Sequence, residues 1–98
     1  MPEQKIDINL TEEVAQGVYS NLAIISHSNS EVILDFVSLL PGSPKGNVRS
    51  RVVMTPVNAK RLLNALADNL SKFEEQNGVI VDNQQGGIPP MMNGGGLA

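Results

Sequence analysis

The 98-residue sequence has no cysteine and no tryptophan, a single histidine, one tyrosine and two phenylalanines. Without cysteine there can be no disulfide framework, no thiolate nucleophile and no Cys-ligated zinc or iron–sulfur site. The lone His27 has no Asp or Glu pair at helical spacing to complete a metal shell, so no metal and no cofactor is expected. The scarcity of aromatics removes stacking platforms for bases and requires a core built from Leu, Ile, Val, Ala and Met. No apolar run approaches the roughly 20 residues that cross a bilayer, and Met1-Pro2-Glu3-Gln4-Lys5 does not lead a basic segment into an apolar one. A soluble, cytoplasmic protein is the expectation. Ten acidic residues against seven basic ones give a net charge of −3, which repels polyanions overall. Lys45, Arg49, Arg51, Lys60 and Arg61 nevertheless gather most of the positive charge in the middle of the chain.

What is present is a patterned, single-domain length of chain. Lys5-Ile6-Asp7-Ile8-Asn9-Leu10 alternates with a period of two and predicts a first strand. Thr11-Glu12-Glu13 can cap a short helical turn, which Gly17 ends, so this stretch is a connector. Val18 to Ser28 and Glu31 to Leu40 are rich in β-branched and large apolar residues around the turn formers Ser28-Asn29-Ser30, and predict a hairpin. Pro41 to Asn47 holds two prolines and two glycines and must be a loop, after which Val48 to Met54 resumes a strand. Thr55-Pro56 is an N-cap followed by the residue best suited to the first helical position. Ala59, Leu62, Leu63, Leu66, Leu70 and Phe73 then form one apolar stripe down to Asn77-Gly78. The expected fold is α+β: a four-stranded antiparallel meander followed by one long C-terminal helix packed on one face. Residues 5–78 form the domain, 1–4 a flexible start, and 79–98 a flexible glycine-rich tail whose adhesive pieces are Val79 to Val81 and Ile88 to Met92.

A hairpin centred on Asn29-Ser30 sets Val32 against His27, Leu34 against Ile25 and Phe36 against Ala23. With Val48 opposite Leu40, Val52 and Met54 join that face, the seat expected for the helix. The other face then holds Leu22, Ile24, Ile33 and Val37, with Asp35 diagonal to Arg51. Strands apolar on both sides belong to a sheet covered twice, and one helix covers one face. A second copy of the chain, as a dimer or tetramer, is the expected cover, with Leu22, Ile24, Ile33, Val37, Asp35 and Arg51 in the partner interface; the first strand and tail folding over that face, or another protein, are the alternatives.

Val18-Tyr19-Ser20-Asn21-Leu22-Ala23, His27-Ser28, Leu34-Asp35-Phe36, Arg49-Ser50-Arg51-Val52, Thr55-Pro56 and Ala59-Lys60-Arg61-Leu62-Leu63 resemble a small bacterial family known as domain of unknown function 3467. The resemblance runs from about Ile6 to about Gly78 and implies no agreed activity. The order of four strands and one helix is also similar to the export chaperone SecB, which implies oligomers that sandwich helices between sheets. The chain lacks that chaperone's second helix and its aromatic-lined grooves.

Ser26, His27, Ser28, Glu31 and Asp35 contain a nucleophile, a base and acids, but strand alternation sends His27 away from both serines. His27 is expected instead to end a strand and donate to a turn carbonyl. The glycine runs have no Lys-Ser/Thr after them and no strand-to-helix setting, so they are not a phosphate loop. No enzyme is expected. The expected role is a homo-oligomeric protein-interaction module, chaperone-like or an accessory subunit. The alternative is nucleic-acid binding through Arg49, Arg51 and Lys45, against which stand the acidic total and the missing aromatics.

Overall fold

The computed structural model of the chain describes residues 5–82 and the backbone of residues 91–93. Residues 1–4, 83–90 and 94–98, all expected to be flexible, lie outside the described residues. In chain order the elements are α1 (Glu12–Ala15), β1 (Leu22–His27), β2 (Val32–Ser38), β3 (Asn47–Met54), α2 (Pro56–Asn77) and β4 (Met91–Asn93). β1, β2 and β3 form an antiparallel sheet, so the class is α+β.

Local chemistry accounts for each element. Thr11 Oγ1 accepts the Val14 N–H at 3.2 Å and caps α1, whose two acids sit where the helix dipole favours them. The β1–β2 turn is organised by Ser28, whose Oγ accepts the N–H groups of Ser30 and Glu31 at 3.2 and 3.1 Å. The register that follows pairs His27 with Val32, Ile25 with Leu34 and Ala23 with Phe36, as the pattern predicts. Beyond Leu22 one more backbone bond, from Asn21 N–H to the Val37 carbonyl at 3.1 Å, ends the ladder, and side chains take over. Asn21 exchanges two hydrogen bonds with the backbone of Leu39, at 2.8 and 2.9 Å, and Ser20 Oγ reaches the carbonyls of Leu22 and Val37. This is why the strands are shorter than the apolar runs that contain them.

The structure corrects three expectations about the sheet and helix. Lys5 to Leu10 is not a strand, and Ile8 on it is 89% exposed. Alternation makes a ribbon amphipathic but supplies no hydrogen-bonding neighbour, and among the described residues this segment has none. The fourth position in the sheet order β3-β2-β1-β4 is taken instead by Met91–Asn93, parallel to β1, with Ala23 opposite Met91 and Ile25 opposite Asn93. Among the described residues three strands precede α2, so the four-strands-then-helix order behind the likeness to SecB is not shown. Across β2 and β3, Val48 pairs with Val37 and not with Leu40. Phe36 pairs with Ser50 and Val37 with Val48, so Arg49 is the extra residue of a bulge. The displacement at Val52 and Met54 is an even number of residues and keeps both on the face of Leu34 and Phe36.

The third correction concerns α2. Thr55 alone joins β3 to α2; its extended backbone (φ −73°, ψ 155°) and its Oγ1, accepting from Asn58 N–H at 3.2 Å, start the helix at once. A link of one residue is shorter than the roughly two to six usual between a strand and a helix packed back on its sheet. α2 has no buried residue and, among the described residues, makes no extensive contact with any strand of the sheet. Its end does follow the pattern: Gly78, at φ 91°, donates its N–H to the Glu74 carbonyl at 2.8 Å.

The core of one chain is consequently small. Among the described residues the buried hydrophobic side chains are Leu22 and Val37, 6% and 4% exposed, neighbours across β1 and β2. Gly46 serves this core directly, because a Cβ there would stand 2.9 Å from Val37 Cγ1 and 2.5 Å from Leu39 Cδ2.

Candidate interaction surface

α2 carries an exposed apolar stripe. Leu62, Leu63, Leu66, Leu70 and Phe73 are between 40% and 62% exposed, and only Ala59 of the stripe is half-buried. Helical spacing brings these side chains to one side, which the described residues of the chain leave exposed. The polar side of the helix is satisfied locally. Asp68 pairs with Lys72 one turn on at 3.2 Å, and Asn69 and Asn77 donate to carbonyls four residues back. The ends of α2 carry charge that its own dipole disfavours: Lys60 and Arg61 follow the first turn, while Glu74 and Glu75 occupy the last.

The sheet presents two unlike faces. Ala23, Ile25, Leu34, Phe36 and Met54 share one, half-buried by each other, with Val52 exposed beside them. The other carries the six residues expected at a partner interface, and the structure distributes them differently. Leu22 and Val37 are core, Ile24 and Ile33 are half-buried, and Asp35 is 7% exposed. Arg51 lies directly opposite Asp35, not diagonal to it. Its Nε and Nη2 donate to the two carboxylate oxygens at 2.6 and 2.9 Å, a bidentate fork. The Arg51 hydrogen bonds hold the Asp35 carboxyl below the usual carboxylate range; burial opposes this and the guanidinium charge adds to it. The same pairing raises the Arg51 guanidinium.

This pairing bears on the nucleic-acid alternative, since Arg51 is engaged within the sheet while Arg49 stands in the bulge and Lys45 in the loop. The three do not form one row. Ser26 and Asp35 lie on the face opposite His27, and the Ser28 hydroxyl is held by the turn backbone. His27 ends β1 exposed, and its ring makes no hydrogen bond among the described residues, so the expected donation to a turn carbonyl is not made. Among the described residues no three His, Asp or Glu side chains come together, and no helix is long and apolar enough to cross a membrane.

The family model described as protein of unknown function (DUF3467) matches residues 1–82. The chain belongs to this family. No curated protein and no solved structure matches it. The DUF3467 match contains α1, the three antiparallel strands and the whole of α2, and β4 falls beyond it. Within the matched residues the expected strand at Lys5 to Leu10, the β2–β3 register and the packing of α2 all differ from the structure. The α2 stripe was legible but read as an internal face, and the signal against that was the single residue between strand and helix. The side-chain ladder of Ser20 and Asn21 carried no periodic signal at all.

Proposed function

We propose that this DUF3467 protein is a non-catalytic, homo-oligomeric protein-interaction module whose α2 stripe is covered by a second copy of the chain. The observation that carries the reading is the exposure of five large side chains on one side of a helix that its own sheet does not shelter. Fully burying such a side chain stabilises by about 1.5–3 kcal/mol, and covering the exposed halves of five gives about 4–7 kcal/mol per helix. Two helices together reach the scale of the roughly 4–15 kcal/mol lost on association, and apolar sheet residues such as Val52 and Val53 add to the gain. Among the described residues one chain buries only Leu22 and Val37 as an apolar core, little for a domain of this length.

The separation of His27 from Ser26 and Asp35 supports the non-catalytic part of the reading. Thermal unfolding followed by circular dichroism over a hundredfold range of protein concentration tests the oligomeric part. A linked fold and assembly gives a midpoint that rises with concentration. A midpoint independent of concentration, in a species with the mass of one chain, rejects it.

A further inference from the structure

The α2 stripe has more order than amphipathicity demands. Ala59, Leu63, Leu66, Leu70 and Phe73 recur at spacings of four, three, four and three, which is the a/d seam of a helix that packs on another helix. In this register Lys60 and Glu74 fall at equivalent flanking positions, at opposite ends of the seam. Parallel pairing would align two macrodipoles and leave both charges without a counterpart. Antiparallel pairing does the reverse.

We infer that two copies of α2 pair antiparallel about a two-fold axis near Asp68, with Leu63 on the partner's Phe73 and Leu66 on the partner's Leu70. The inference rests on the homo-oligomer reading and names its geometry. The two-fold repeats both contacts, so every layer between Leu63 and Phe73 is filled from both sides, over about 15 Å of helix. On one flank Lys60 comes beside the partner's Glu74. On the other Asn69 comes beside the partner's Asn69, and Leu62 beside the partner's Gln76. The charges that stand at the wrong ends of α2 for its own dipole stand at the right ends for an antiparallel neighbour. Glu74 Oε2 already accepts the Ile80 N–H at 2.8 Å, which leaves its second carboxylate oxygen for Lys60. Asp68 and Lys72 stay on the outer side, paired with each other.

The absence of native cysteine makes thiol cross-linking of the full chain clean. Ala67 lies on the same flank as Lys60, next to the two-fold, so Ala67→Cys is expected to give covalent dimers with a short bis-maleimide. Lys60→Cys alone is expected to give none, and Lys60→Cys mixed with Glu74→Cys to give dimers containing one copy of each. Lys60→Glu is expected to weaken association by about three- to tenfold, and Lys60→Glu with Glu74→Lys to restore it. Self-linking of Lys60→Cys, or no linking of Ala67→Cys in a sample whose mass is still that of an oligomer, overturns the antiparallel geometry and leaves the oligomer standing. A wild-type chain with the mass of a monomer and no cross-links in any variant overturns both.

Discussion

Leu66 separates a helix that lives in water from one that is covered. In the single chain it is 51% exposed. Truncating it to alanine would then cost under about 1 kcal/mol, partly offset by alanine's better helix propensity. In an antiparallel pair the same side chain sits between the partner's Leu70 and its own neighbours. Removing it leaves a cavity worth about 2–5 kcal/mol, incurred twice in each dimer. The lower bound, about 4 kcal/mol, corresponds to a dissociation constant raised about a thousandfold. Leu66→Ala should therefore shift the dissociation midpoint in a sedimentation-velocity dilution series by about three decades. Asn64→Ala, on the polar side of the same helix, should leave it in place. A shift for Leu66→Ala of less than about tenfold would refute the reasoning, because the leucine would then be as wet in solution as in one isolated chain.

Three further outcomes follow from the sheet. Gly46→Ala should lower the melting temperature by about 4–15 °C, because the new methyl meets the stiff, β-branched Val37 at 2.9 Å and overpacking of this kind costs about 1–3 kcal/mol; an unchanged melting curve would show that the loop simply yields. Leu22→Ala removes one of the two apolar side chains buried among the described residues and should destabilise by about 2–5 kcal/mol in urea unfolding; a loss below about 1 kcal/mol would place the core elsewhere. The Asp35 carboxyl is depressed by Arg51, so it favours the folded state at pH values above its unfolded value of about 3.9, and that contribution fades as pH falls through the lower folded value. Asp35→Asn should therefore melt below the wild type at neutral pH and converge with it towards pH 3 or below, and parallel curves over that range would count against the fork.

The hairpin and the helix ends were readable from the sequence because the interactions that set them are local. Ser28, Asn29 and Ser30 place the turn, the turn places the register, and Thr55-Pro56 and Gly78 bracket α2 through backbone hydrogen bonds a few residues long. Lys5 to Leu10 failed for the converse reason, since alternation describes which side of a strand is apolar but not whether another strand is there to receive it. The bulge at Arg49 was not legible because it depends on how β3 leaves the Pro/Gly loop, where Gly46 must pass close to Val37 and Leu39. β4 could not be read either: Met91-Met92-Asn93 is too short to carry a periodic pattern.

For the candidate surface, the apolar stripe was visible residue by residue, and its destination was not. Periodicity reports a face, and only the shortness of the Thr55 link argues against that face packing back onto its own sheet. The expected interface residues were chosen by face alone. In one chain Leu22 and Val37 already cover each other across β1 and β2 and Asp35 pairs with Arg51, while the α2 stripe is among the exposed apolar surfaces.

The most direct measurement is the mass of the unmodified chain by light scattering after size exclusion, at several loading concentrations in the micromolar range. One chain is 10.5 kDa. A second copy over α2 predicts a mass of twice that value or a higher multiple, declining on dilution. A constant 10.5 kDa at every concentration, from a protein whose circular dichroism is that of a folded sheet and helix, would contradict it.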